Sequence, residues 1–318
     1  MVTGFKLMRH LTQAVALVSF LTIPTAVNAE SVFIPGTSVT LEAPPGFTVA
    51  DPHSVLEHVE TGSSIIIAEF PPEAYSAILR LFTSETVSET AADLWESRGV
   101  TIDRLTWLTV DDREVPLLTG TQVTAEAEVT KYIALLEGEN TILVTFNIMD
   151  PNQMTQDDAE MVMESIRLLP LTLEERVAQL SFSFEAIAPF QVSQVYSGIT
   201  VLEEMTEDPA PFGTGAAVLI TRGYNSSETS DPAQINEQLL RNTPDFQSIQ
   251  ITNQESAPFA GGTGHVISGV VGDLTAVQFL HIPDDGRYIR LVAIGATSAL
   301  EPLLPMIQDV ADSVEILE

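Results

Sequence analysis

Histidines and carboxylates are the side chains from which this sequence could assemble chemistry, because it contains no cysteine. Without a thiol there is no thiolate nucleophile, no thiolate metal ligand and no disulfide. Past residue 29, four histidines remain: His53, His58, His265 and His281. His53 and His58 are five residues apart. That spacing separates them by roughly 140° on a helix and puts them on opposite faces of a strand. Neither geometry makes a chelating pair. Glu57 and Glu60 stand beside them in what reads as a loop, so a weak metal site is the sharper reading and ordinary surface histidines the favoured one. His265 and His281 fall in predicted strands and read as packed or surface residues.

The other motifs are read in the same way. Asp150-Pro-Asn-Gln-Met-Thr-Gln-Asp-Asp158 starts like a calcium loop, but Met154 takes the third ligand position, no Gly follows it and the closing Glu is missing. A turn leading into a helix cap is the better reading. Asp111-Asp112 and Asp284-Asp285 read as hairpin turns. Gly213-Thr-Gly215 precedes a strand, whereas a dinucleotide fingerprint follows one, and Gly261-Gly-Thr-Gly264 lacks the Lys of a phosphate loop. Tight turns account for that run and for Thr119-Gly-Thr-Gln122, read as its counterpart. No Gly-x-Ser-x-Gly elbow is present. Trp95 and Trp107 are expected in the core. The sequence thus nominates no catalytic, cofactor-binding or metal residue and no cofactor.

Charge narrows the partners. The chain carries 44 Asp and Glu against 13 Lys and Arg, a net charge of −31. Removing residues 1–29 takes away Lys6 and Arg9, leaving Lys131 as the sole lysine. Such a surface repels phosphate backbones and anionic headgroups, so no nucleic acid and no membrane surface is expected as a partner. Cations, basic proteins or simply water and salt are favoured, and a solvated acidic surface suited to solubility outside the cell is the preferred reading. With 45% hydrophobic residues there is enough to bury, so acidity does not imply disorder.

The elements that would position these residues come in two sets. Val39-Thr-Leu-Glu-Ala-Pro-Pro-Gly-Phe-Thr-Val49 lies over Phe182-Ser-Phe-Glu-Ala-Ile-Ala-Pro-Phe-Gln-Val192 without a gap. Val115-Pro-Leu-Leu-Thr-Gly-Thr121 lies over Ala257-Pro-Phe-Ala-Gly-Gly-Thr263. Ala159, Val162, Met163 and Ile166 match Ile307, Val310, Ala311 and Val314 in helical spacing, with Ser165 on Ser313. The order predicts a duplicated unit.

In the first copy, strands are expected at 39–49 across the Pro-Pro-Gly turn, 63–70, 105–110, 117–123, 130–136 and 141–148. Thr86 and Glu89 would cap one helix, and Thr155 the closing one. In the second copy, strands at 182–192 and 216–222 precede a helix begun by Asp231-Pro232. A 276–282/288–294 hairpin follows, and a last helix is capped by Ser298. Thr172 and Glu175 form a capping box for a short helix at 172–180. At the front, Lys6 and Arg9 precede an apolar run ending in Val27-Asn28-Ala29, the pattern of a signal peptide cleaved after Ala29.

The Pro-Pro-Gly-Phe opening, the Ser165-Ile-Arg-Leu-Leu169 close and the order strand pair, helix, antiparallel strands, closing helix resemble the PsbP-like fold, including the DcrB-type periplasmic proteins. The resemblance implies an α+β chain of two tandem modules, each an antiparallel β-sheet with helices packed on its faces. The expected division is a signal peptide at 1–29, a first module at 30–170, a helical linker at 171–180 and a second module at 181–318. It also implies a periplasmic or secreted, non-catalytic protein that recognises a protein partner, with no membrane insertion after cleavage. The competing functions are a hydrolase or lyase using carboxylates in an unrecognised cleft, and a structural or calcium-buffering envelope protein.

Overall fold

The computed structural model describes residues 31–50, 54–82, 95–96, 99–124, 127–205, 215–224, 231–283 and 287–317. The expected leader, His53, the Thr86 and Glu89 pair, Gly213 and the Asp284-Asp285-Gly286 turn lie outside them. In chain order the first half contains β1 (Ser31–Phe33), β2 (Val39–Glu42), β3 (Thr48–Ala50), β4 (Val55–His58), β5 (Ser63–Phe70), α1 (Ala74–Leu79), β6 (Val100–Val110), β7 (Arg113–Val123), β8 (Glu128–Glu137), β9 (Thr141–Ile148), α2 (Gln156–Ser165) and β10 (Arg167–Leu168). Helix α3 (Leu173–Val177) connects it to the second half. That half contains β11 (Phe182–Ser183), β12 (Phe190–Tyr196), β13 (Ile199–Glu204), β14 (Ala217–Tyr224), α4 (Pro232–Arg241), β15 (Gln250–Phe259), β16 (Gly262–Val271), β17 (Leu274–His281), β18 (Arg287–Ala296), α5 (Thr297–Leu300), α6 (Leu304–Asp312) and β19 (Glu315–Ile316).

Each half builds a seven-stranded antiparallel sheet, β3-β4-β5-β9-β8-β7-β6 and β12-β13-β14-β18-β17-β16-β15. The two orders are identical strand for strand. Period-two alternation of apolar residues explains the strands: Ile142, Val144, Phe146 and Ile148 of β9 all bury one face. Both faces of each sheet are covered. Leu117 of β7 joins a core with Leu41, Phe146 and Met163, whereas its neighbour Leu118 joins Phe82, Trp95 and Leu135 on the opposite side. In the second half Phe279 and Val310 lie on one side and Ile267 and Leu240 on the other.

The expected layers of helix are much reduced. Among the described residues the molecule is sheet-dominated and its helices are few and short.

Equivalent contacts close the two halves. Strand β2 pairs with β10 as β11 pairs with β19. The Ser165 hydroxyl accepts from Glu42 N–H at 2.9 Å, and the Ser313 hydroxyl accepts from Glu185 N–H at 2.9 Å. The same hydroxyls donate to Val162 and Val310 carbonyls.

The structure replaces one of the three sequence matches. Pro116 and Gly120 lie on β7, second from its sheet edge, whereas Pro258 lies on the edge strand β15, so they are not equivalent. The true correspondence runs at a longer offset, 251 − 102 = 149, where the β-bulge at Ile102/Arg104 recurs at Ile251/Asn253. On it the positive-φ turn Asp111-Asp112 matches Ala260-Gly261, and Gly120 matches Gly269. Gly120 therefore sits in mid-strand and not in a turn. Both of these glycines lie where a Cβ would strike the neighbouring edge strand: the Thr101 carbonyl for Gly120, and the Gln250 carbonyl at 2.7 Å for Gly269.

Two further expectations change. Residues 55–58 form strand β4 and not a loop, so His58 is a strand residue. Ser298 does not cap the last helix but lies inside α5, and a 3-10 turn at Glu301–Leu303 leads into α6.

Candidate functional site

A densely bonded buried polar group is Glu69, at the end of β5. Ser63, Ile65 and Ile67 precede it at alternate positions, and all four are buried. Strand periodicity thus carries a carboxylate onto the buried face. Its Oε1 accepts from Ser38 N–H at 2.6 Å and from the Ser38 hydroxyl at 2.5 Å. Its Oε2 accepts from Arg176 Nη1 at 2.8 Å and from Asn140 Nδ2 at 3.2 Å. The side chain of Glu69 is fully buried and that of Arg176 is 10% exposed, so this is an ion pair withdrawn from water. Such a pair is tolerated because the remaining lone pairs are satisfied by Ser38 and Asn140.

Arg176 belongs to α3, which the capping box of Thr172 and Glu175 sets in place: the Thr172 hydroxyl accepts from Glu175 N–H, and Glu175 accepts from Thr172 N–H at 2.8 Å. The Thr172 N–H and hydroxyl, both donating to the Glu175 carboxylate, hold it below its usual pKa. The second half contributes the turn between β12 and β13. Ser197 and Gly198 both have positive φ, as a two-residue hairpin turn requires. The Ser197 hydroxyl accepts from Glu69 N–H at 2.5 Å and donates to the Glu69 carbonyl at 3.4 Å. Gly198 lies against Gly36, where a Cβ would come 3.2 Å from Gly198 N. On the strand equivalent to β5, β14, the matching position is Arg222, whose Nη1 donates to the Ser181 carbonyl at 3.3 Å. Both halves therefore place a charged residue at the same point of the junction, with opposite sign.

Beside this network lies a cleft of about 190 Å3 between the halves. Pro71, Pro72 and Asn140 form one wall, and Leu173 and Arg176 of α3 form a second. The Thr141 hydroxyl fixes the Pro-Pro wall by donating to the carbonyls of Pro71 and Pro72, at 3.2 and 3.3 Å. The third wall is Ser193, Gln194, Val195 and Tyr196 of the edge strand β12. The register of β12 slips between Val192 and Gln194. A bulge of this kind re-aims the side chains that follow it. Gln194 Oε1 is buried with no hydrogen-bond partner among the described residues. Burial raises the pKa of the Tyr196 phenol, and the Glu203 carboxylate adds to the rise. The cleft thus combines apolar walls with a guanidinium neutralised by Glu69.

The residues singled out by type lie elsewhere. The His58 ring lies 5.4 Å from that of Phe47, under the Pro-Pro-Gly turn, and its Nδ1 accepts from Thr61 N–H at 3.3 Å. The His265 carbonyl accepts from Asn236 Nδ2, and His281 Nδ1 lies 3.0 Å from the Thr263 carbonyl. Among the described residues no three His, Asp or Glu side chains converge as metal ligands would. In the 150–158 segment, Asp150 accepts from Asn152 while Thr155 and Asp158 form a full capping box, so these carboxylates are engaged in a turn and a helix start.

Trp95 is buried, with its indole N–H donating to the Leu81 carbonyl at 3.4 Å. Trp107 departs from expectation and is 51% exposed. Its strand β6 is at the edge of the sheet, where side chains have neighbours on one side only.

Glu69, Arg176 and Gln194 carry no motif. The signal available for Glu69 was its phase, in step with Ile65 and Ile67 on a strand whose boundaries were legible.

No family model matches the chain, and no curated protein does. Solved structures similar to it include LpqN of Mycobacterium tuberculosis, described as involved in cell envelope biogenesis, at 14% identity and TM-score 0.34 over 43% of this chain and 83% of that one. The cyanobacterial PsbP of Synechocystis sp. PCC 6803 matches at 11% identity and TM-score 0.29, over 43% and 82%. The type VI secretion immunity protein TplEi of Pseudomonas aeruginosa, complexed with "L" peptide, matches at 9% identity and TM-score 0.29, over 88% and 95%. The two-sheet architecture itself rests on the strand pairings described above.

Proposed function

We propose that this chain is an exported, non-catalytic binding protein that holds a protein partner at the cleft between two PsbP-like modules. The modules are residues 30–170 and 181–318, each an antiparallel sheet with helices on its faces, joined by the helical linker 171–180 and preceded by a signal peptide at 1–29. One observation carries the reading. The walls of the cleft come from both halves and from the linker, and the buried Glu69–Arg176 pair beside them ties β5 to the linker helix while a bulged edge strand forms the third wall. A preorganised, partly apolar cleft with few polar groups suits recognition of a protruding group on another molecule. The net charge of −31 favours a basic partner through long-range steering and disfavours nucleic acid and anionic lipid.

Among the described residues no helix is long and apolar enough to cross a membrane. Export to the periplasm or medium is tested by the intact mass of the recovered protein, expected to begin at Glu30. Partner binding is tested by mild crosslinking and co-purification from that compartment. Repeated recovery alone and as a monomer would count against it.

A further inference from the structure

The outer edges of the two sheets are built on one plan and finished differently. Strand β6 ends in the Asp111-Asp112 turn, whose positive φ values make Val110 and Arg113 the hydrogen-bonded pair that closes the hairpin. Pairs alternate from there along β7, so the N–H and C=O of Leu105, Trp107 and Thr109 point away from the sheet. Among the described residues nothing is hydrogen-bonded to these outward groups. The matching positions of β15, set by the shared bulge, are Gln254, Ser256 and Pro258. All three are exposed, Glu255 lies among them, and Pro258 has no N–H to offer on its outward side. Proline and charge are means by which sheet edges are kept from pairing with another strand. From Leu105 to Val110, β6 has neither, in a chain that carries 44 Asp and Glu. Trp107, midway along the free groups, is 51% exposed.

We propose that this edge pairs with the same edge of a second copy of the chain, joining two first-half sheets through an antiparallel seam of β6 on β6. The outward residues are bounded by the bulge at Ile102/Arg104 on one side and by the turn on the other, with Trp107 at their centre. A two-fold axis at Trp107 therefore sets Trp107 opposite itself and Leu105 opposite Thr109, and each outward N–H meets an outward C=O. Directly opposed side chains share a face, which brings the two indoles together and takes their exposed surface out of water. Arg104 comes opposite Val110 of the second copy, beside its Asp111, and so offsets the acids that flank the seam, Asp103, Asp111 and Asp112. Helix α2 is bonded to β6 at Arg104, through Gln156, and the two-fold carries the equivalent bond of the second copy to the other end of the seam. None of the residues lining the cleft belongs to β6, so pairing here does not depend on partner binding there.

Sedimentation equilibrium of the purified protein from about 1 μM to about 1 mM, in about 0.3 M salt to screen the acidic surfaces, is expected to show a reversible monomer–dimer equilibrium. Amide exchange at Trp107 and Thr109 should slow at the high end of that range. Trp107→Glu and Trp107→Arg each set like charges opposite one another across the axis and are expected to weaken the dimer about tenfold or more, whereas an equimolar mixture of the two restores it. Thr109→Pro copies the proline of the second half at an exposed residue whose N–H points outward. It is expected to weaken the dimer by a similar factor with a thermal midpoint near the parent's. If the charged variants fail to fold, Thr109→Pro decides alone. A protein that stays monomeric over this range, a dimer indifferent to Thr109→Pro, or folded Trp107 variants that mixing does not rescue would overturn the proposal. So would protection of the Trp107 amide by an extended segment of another protein with no dimer formed.

Discussion

Glu69 is bonded at both carboxylate oxygens and through its own main chain, with partners from the β1–β2 turn, the β8–β9 turn, α3 and the β12–β13 turn. A side chain that ties so many elements together is costly to remove, since the buried guanidinium of Arg176 would lose its partner. Glu69→Ala is expected to destabilise the protein by about 3–5 kcal/mol, read by urea denaturation. Arg176→Met in the same chain should recover part of that loss, because the orphaned charge is gone; strict additivity in the double-mutant cycle would refute a coupled pair. Gly120 is a steric case and not an electrostatic one. Its missing Cβ leaves room for the Thr101 carbonyl across the β6–β7 pair, and backbone cannot swing aside. Gly120→Ala is expected to cost about 1–3 kcal/mol. Gly269→Ala should cost less, because its clash with Gln250 is milder and Ile249, the other neighbour, is a flexible side chain.

Among the elements, side-chain caps start α2, α3 and α4, and the capping signals at Thr155, Thr172 and Asp231 were readable from sequence. Ser298 misled because the chain turns through α5 and a 3-10 turn before α6, a route set by packing of Leu300 and Leu303 into the core. The Thr155 cap yields a pH prediction. Hydrogen bonds from the Thr155 hydroxyl and N–H hold the Asp158 carboxyl below its ordinary 3.8. A depressed folded-state pKa means that its contribution is present above the ordinary value and is lost as pH falls through the folded one. Thr155→Ala is expected to cost about 1 kcal/mol at neutral pH. The difference from the parent should shrink as the pH drops below 3.8, as urea denaturation at a series of pH values would show. A difference that stays constant with pH would refute the charge-assisted cap.

At the scale of the whole molecule, the two halves keep one scaffold and differ in what they bury under their helices. On the correspondence set by the strand pairings, Ile133 and Leu143 of the first half match Gln278 and Arg290 of the second. Arg290 Nε donates to Gln278 Oε1 at 2.7 Å and its Nη2 to the Thr243 hydroxyl at 2.6 Å, while Gln278 Nε2 donates to Asn236 Oδ1 at 2.7 Å. Burial lowers the guanidinium pKa to about 10, with the neighbouring Tyr288 opposing the shift. This network pins α4 to its sheet where the first half uses apolar contact. Arg290→Leu alone strands the Gln278 and Thr243 oxygens, at about 1–3 kcal/mol for each buried orphan. The triple change Arg290→Leu, Gln278→Ile and Asn236→Leu should be less destabilising than the single one, as calorimetry would show. A triple variant weaker than Arg290→Leu would mean that the polar network, and not its apolar counterpart, is what this fold requires.

Local pattern determined much of this protein. Alternating apolar residues set strands β5 and β9 residue for residue, capping pairs set α2 and α3, and the serine of the closing segment recurred in both copies with the same hydrogen bonds. These features depend on neighbours within a few positions, which a sequence displays directly. The equivalence of Gly120 with Gly269, the exposure of Trp107 and the strand at His58 required knowing which strand lies beside which, and that is a long-range property. The candidate site belongs wholly to this second class. Glu69, Asn140, Arg176, Gln194 and Ser197 are scattered over the chain, and none of their identities is unusual in isolation. They become a site because the hairpin turn of the second half seats on the main chain of Glu69 while α3 brings Arg176 to its carboxylate, contacts between residues that the sequence separates by more than a hundred positions.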